Sequence, residues 1–148
     1  VAVPFSQYDP LGVILTFGPY VISGFMDGTF IEAQRDEAAF TKKVGATGGV
    51  ARVKNRNRAG SIKFTLMVTS PSNAILSGIH SLGEAETLTT ADVMPCMVKS
   101  LSDLTRLHAT NAWIQKVANA SYGKDLPARE WTLDCEAIDM DLGDGFGE

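Results

Sequence analysis

The chain is poor in the residues from which catalytic and metal centres are usually built. Its 148 residues hold two cysteines and two histidines. Cys96 and Cys135 stand far apart with no CxxC spacing, which removes zinc ribbons, thioredoxin-like motifs and disulfide scaffolds from consideration. Both thiols are expected to be reduced, small core residues. His80 and His108 belong to no recognised metal-ligand pattern. Long apolar runs are missing too: the run at Val13 to Leu15 is broken by Thr16 and Gly18, far short of the ~20 residues that cross a bilayer. No secretory pattern precedes the cysteines, so a soluble protein made in a reducing compartment is expected, and Asn119-Ala120-Ser121 is expected to carry no glycan. No internal repeat, low-complexity block or linker divides the chain, which is expected to fold as one domain, 1–148.

Arrangements that superficially suggest chemistry fail on their spacing. Asp139, Asp141 and Asp144 lack the glycine register and terminal glutamate of a calcium loop. Ser121 and Lys124 have SxxK spacing without its companion motifs. Gly143, Gly145 and Gly147 precede no helix and form no phosphate cradle, so 143–148 reads as a flexible tail. No nucleophile-base pair can be named, and neither an enzyme nor a cofactor is expected. The net charge of −4 and pI near 5.1 argue against a protein whose task is gripping nucleic acid by its phosphates.

Strand signals dominate what is present. Ile62, Phe64, Leu66 and Val68 alternate with Lys63, Thr65 and Thr69, the period of a half-buried strand. Ser70-Pro71 then supplies a cap and a first-turn proline, and Ile75, Leu76, Ile79 and Leu82 form one apolar stripe. The spacing predicts a helix over 71–82, stopped at Gly83. Segments 11–17 and 20–26 read as strands joined at Gly18-Pro19, and Asp27-Gly28 as a hairpin turn into 29–33, an opening β-meander. Segments 93–99 and 104–109 read as a hairpin around Ser102-Asp103, 112–117 as a further strand and 119–127 as a loop. In the last strand, 130–142, Trp131, Leu133, Cys135 and Ala137 share a face until the phase inverts at Ile138. That inversion predicts a bulge or a crossing into another packing environment. The fold class is mainly β, a small barrel or sandwich with one flanking helix. Residues 1–10 read as an N-terminal arm, and 34–60 as a long, charged, aperiodic loop that is functional or partner-bound.

Several strings, taken in order, carry a resemblance: VG..GGVARVKN from Val44, GSIKFTL from Gly60, TSPSN from Thr69, AWIQK from Ala112, YGK from Tyr122 and REWTLDC from Arg129. Together they resemble the tail tube protein of contractile-tailed bacteriophages, over roughly 12–143. The resemblance implies a β-barrel subunit with a flanking helix, six copies to a ring, and stacked rings through which DNA passes without specific binding. It further implies a place in the virion, assembly in the host cytoplasm, and sheath, baseplate or tube-initiator, tape measure and terminator proteins as partners. Tubes of type VI secretion share that architecture and are the alternative within it. From another class, the alternative is a small-barrel nucleic-acid binder using Lys54, Arg56 and Arg58.

Within this reading, the mixed charges of 34–60 suit contacts between copies, and Arg35, Asp36, Phe40, Lys42, Arg52, Lys54, Arg56 and Arg58 are expected there. The basic cluster from Lys54 to Arg58 has three readings: a solvated turn, ion pairs with acids such as Asp36, Glu37, Glu84 or Glu86 of a neighbour, or a phosphate contact lacking aromatic platforms. Asp134 and Glu136, opposite the apolar face of the last strand, are expected to face the lumen. Acidic walls repel phosphate there, and six copies at −4 each carry −24.

Overall fold

Alternation of inward apolar and outward polar side chains builds most of the molecule. The computed structural model describes residues 7–85, 91–102 and 104–143. A 3-10 turn, Pro10–Gly12, leads into β1 (Val13–Phe17) and β2 (Tyr20–Ile22), and these are followed by β3 (Ile31–Arg35), β4 (Phe40–Val44), β5 (Val50–Lys54) and β6 (Gly60–Met67). Helix α1 (Ser72–Ala85) comes next, then β7 (Met94–Ser100), β8 (Thr105–Lys116), β9 (Ala128–Cys135) and β10 (Ile138–Leu142). Eight strands form one antiparallel sheet in the order β2-β1-β7-β8-β9-β6-β3, with β10 also on β8; β4 and β5 form a separate two-stranded sheet. The large sheet is sandwich-like, and no ladder among the described residues closes it into a barrel.

One core joins the inward faces. Leu15, Phe17, Ile62, Phe64, Leu66, Leu133 and Ile138 are fully or almost fully buried, and α1 adds Leu76 and Ile79. The helix starts one residue after the expected proline and runs past Gly83, which packs against the Asp92 side chain. Ser70 caps it as expected: its Oγ accepts from the Ser72 N–H at 3.2 Å and donates to the Ser23 carbonyl at 2.5 Å. The Ser72 hydroxyl accepts from the Ser23 N–H, clipping the helix start to the end of β2.

The opening meander is corrected. β1 and β2 do pair across Gly18-Pro19, but β3 pairs with β6, not with β2. Phe25 bridges Leu66 and Ile31 pairs with Phe64, so the chain around Asp27-Gly28 does not reverse; it loops out from a run along β6. Thr65 pinches the neck, accepting from the Met26 N–H and donating its own N–H to the Phe30 carbonyl, both at 3.0 Å. The Phe25 and Phe30 rings meet above it at 5.1 Å. Asp-Gly makes a turn easy, but pairing with β6 decides where the strand goes.

The expected strands 104–109 and 112–117 are one continuous β8. Its inward residues switch phase between Ala109 and Ala112, and the facing chain switches between Cys135 and Ile138. Register is kept across the switch, with Ala109 opposite Ile138 and Ala112 opposite Cys135, and slips only further on, between Ile114 and Lys116. The two strands therefore exchange faces in step, at a pinch where Asn111 accepts from the Glu136 N–H at 3.0 Å and donates its side-chain amide to Glu136 at 2.7 Å. The inversion anticipated at Ile138 is half of this paired crossover.

Segment 34–60, expected as an aperiodic loop, contains the β4-β5 hairpin. Both faces of this hairpin lie in water, so no inside-outside alternation marks it. Of the expected arm, residues 1–6 lie outside the described residues. Asp9 is tied down: its N–H donates to Ser102 Oγ and its carboxylate caps the turn at Leu11. Asp103 and, of the expected tail, residues 144–148 also lie outside the described residues.

Candidate functional site

Two surfaces carry the residues singled out above. The first is the hairpin and its root. Phe40 stands opposite Lys54, and Lys42 opposite Arg52. The Arg52 guanidinium stacks over the Phe40 ring at 4.3 Å. All ten strand residues are exposed, Val44 and Val50 by 64% and 67%. Isolated two-stranded hairpins are marginal in water, so such an arm gains most from a surface to lie on.

The root is fastened to the body. The Glu37 carboxylate accepts from the Asn55 side chain at 2.6 Å and the Asn57 side chain at 3.2 Å, and these bonds hold its pKa below the ordinary value. Asn55 donates its N–H to the Ala39 carbonyl at 2.7 Å, and Asp36 its N–H to Ala59 at 3.0 Å. Arg35 directs both Nε and Nη2 at the Ile138 carbonyl, at 3.1 and 2.9 Å. Arg58 forms an ion pair with Asp139 of its own chain, while its carbonyl accepts the Ile138 N–H. Arg35 and Arg58 thus brace β10 within the subunit. Lys42, Lys54 and Arg56 stay exposed.

The second surface is the outer face of β3, β6, β9 and β8. Register places Gln34 beside Ser61, Ser61 beside Asp134, and Asp134 beside Trp113. A groove of about 710 Å³ there is lined by Asp36, Asp134 and Glu136, with Lys63 as the one cation among the described lining residues. Partial burial, and then the nearby Asp36 charge, raises the Asp134 pKa. Asp134 and Glu136 do share a surface, as expected, although Glu136 sits at the pinch and bonds Asn111.

Other marked residues serve the fold. His80 bonds Glu84 at 2.6 Å, an i,i+4 pair on α1 legible from spacing alone. Burial and the proximity of Cys135 push the Cys96 thiol up to about 12, and burial followed by Asp134 and Asp36 pushes Cys135 up to about 11. No group of three His, Cys, Asp or Glu among the described residues is placed to hold a metal ion. No helix among them is long and apolar enough to cross a membrane.

The strings that carry the resemblance meet in space. The Trp131 indole N–H of REWTLDC donates to Asn73 Oδ1 of TSPSN at 3.0 Å, and Arg129 lies over the Tyr122 ring of YGK at 5.1 Å. Residues 20–143 match the model of the bacteriophage PhiTE tail tube protein family. The chain belongs to that family. It is a non-enzymatic structural component of a phage tail. Structural protein ORF10 of Pseudomonas phage KPP10 is 23% identical over 114 residues, covering 77% of this chain and 65% of that protein, so the chain spans just under two thirds of this relative. Among solved structures, the sheath/tube terminator of the PVC extracellular contractile injection system aligns at 16% identity with a TM-score of 0.66, over 95% of this chain and 99% of that one. The anti-feeding prophage tube-terminating cap aligns at 14% and 0.63, over 97% and 95%. The PVC sheath-tube complex aligns at 13% and 0.62, over 92% of each chain. At these identities the structures share the fold.

Proposed function

We propose that the chain is the repeating subunit of a phage tail tube, assembling in the host cytoplasm as stacked rings, six copies to a ring, around a bore that passes DNA at ejection. The tail tube family match carries this reading, and the exposed hairpin supplies the sort of element a self-assembling subunit needs. Phe40, Lys42, Arg52, Lys54 and Arg56 lie at contacts between copies, whereas Arg35 and Arg58 act through the fold. Asp36 belongs with the acidic groove. Sheath, tape measure, initiator and terminator proteins are the partners. The groove face lines the bore, where Asp134 and Glu136 repel phosphate and keep DNA sliding.

Two of the three structural neighbours above are chains from cap or terminator structures, so a capping ring is the second reading. Electron micrographs of concentrated protein, alone and with a tube initiator, separate the two. Long open tubes are expected; single rings that never stack favour the cap, and a monomer under every condition refutes both. The bore is tested by replacing Asp134 and Glu136 with Lys. Intact tubes with slowed DNA ejection, recovering as salt rises, are expected; normal ejection moves these carboxylates off the bore.

A further inference from the structure

The two ends of β3 differ in kind. Its C-terminal end feeds the β4-β5 hairpin, which holds Lys42, Lys43, Arg52 and Lys54 and no acid. With four positive charges there and −4 overall, the remainder of the chain carries −8. The same hairpin exposes Phe40, Val44, Val50 and Val53. At the N-terminal end of β3 lies a groove of about 850 Å³ along the free edge of β2, extending to Phe30. Its lining is mostly apolar, with Leu11 89% and Val21 61% exposed. Asp27 is the one charged residue lining it among the described residues. Among the described residues β2 pairs with β1 alone, so its outer edge offers backbone donors and acceptors to an added strand.

We infer that the groove beside β2 receives the β4-β5 hairpin of a second copy. An amphipathic basic arm at one end of a strand and an apolar, cation-free groove at the other end of an acidic body are complementary in polarity and charge. One patch then meets a different patch, a heterologous contact, which either closes into a ring or repeats openly along an axis. The inference assigns it to the open repeat, between successive rings. The inference rests on the tube reading and names its stacking contact.

The test uses full-length chain with Val44→Cys in one preparation and Val21→Cys in another, mixed under assembly conditions with a short bis-maleimide cross-linker. Both positions are exposed and both native thiols are buried, and an unchanged thermal transition checks folding. A cross-linked dimer is expected from the mixture. Replacing Val21→Cys by Thr132→Cys, which lies in the acidic groove and not beside β2, is expected to abolish at least nine tenths of it. Assemblies visible in micrographs without the cross-link, or with equal yield from Thr132→Cys, overturn the inference and leave the tube reading standing. Absence of any assembly overturns both. Hydrogen exchange on the unsubstituted chain is a second measurement: amides of β2 and of the hairpin should slow together on assembly, and protection of only one of them overturns the pairing.

Discussion

Asn73 joins the helix start to the sheet, and its replacement by Ala has a magnitude that can be worked out. The side chain accepts from Trp131 Nε1 at 3.0 Å and donates to the Met67 carbonyl at 2.9 Å. Trp131 is 2% exposed, so its N–H finds no water once Asn73 is gone. Losing the Met67 bond costs about 1 kcal/mol, and leaving the indole N–H unsatisfied about 1–3 kcal/mol more. Ala returns at most about 0.7 kcal/mol in helix propensity. The net loss is then about 1.3–3.3 kcal/mol, which at about 3 °C per kcal/mol for a chain of this size lowers Tm by about 4–10 °C. Calorimetry of unassembled protein measures it directly. In a Trp131→Phe background no N–H remains to strand, so Asn73→Ala should cost only about 0.3 kcal/mol there, the Met67 bond less the propensity gain. Equal cost in both backgrounds would show that the two residues are not coupled and would refute the reasoning.

Three further outcomes are expected. Cys96 and Cys135, protonated at neutral pH and buried, should react with a thiol reagent at least a hundredfold more slowly in native than in urea-unfolded protein; prompt native labelling would contradict their placement. Asp134 has a raised folded pKa, so its charged form opposes folding above that pKa and the penalty disappears as pH falls through it. Asp134→Asn should therefore raise Tm slightly at pH 7 and lose this advantage in acid, and a lowered Tm at pH 7 would reverse the sign. Glu37→Ala removes both side-chain bonds at the hairpin root and should leave Tm nearly unchanged while raising the concentration at which assemblies appear in sedimentation several-fold; unchanged assembly would show that the root does not orient the arm.

Where one face of an element is packed and the other wet, its periodicity made it legible. β6 and α1 show this, with Ile62, Phe64 and Leu66 buried on one and Leu76 and Ile79 on the other. The hairpin was not legible, because a strand exposed on both faces leaves no hydrophobic alternation, and Thr41, Lys43 and Val53 read as loop. β8 was cut in two because Thr110 and Asn111 face outward in succession at the crossover. The opposite inversion near Ile138 was visible, yet joining the two required the pairing of Ala109 with Ile138, a long-range fact. Among the expected contact residues, charge type said nothing of partner: Arg58 found Asp139 and Arg35 found a carbonyl, both in the same chain. Lys42 and Arg52 remained on the arm.

That division follows from what an assembling arm requires. If an arm is loose at its root, docking must fix every joint between body and tip, and the entropy cost subtracts from the interface. Here the root is held by Glu37, by the backbone bonds of Asp36 and Asn55, and by the Arg35 and Arg58 braces on β10. The tip is closed on itself by the Gly45 N–H on the Gly49 carbonyl and the Gly48 N–H on the Gly45 carbonyl. Arg35 and Arg58 at the root are therefore consumed in fixing the direction of the arm, and on the tube reading Lys42, Arg52, Lys54 and Arg56 are left for a second copy. A passive tube needs this arrangement more than it needs any reactive group: the stiffness of each joint sets how faithfully one ring repeats the orientation of the last.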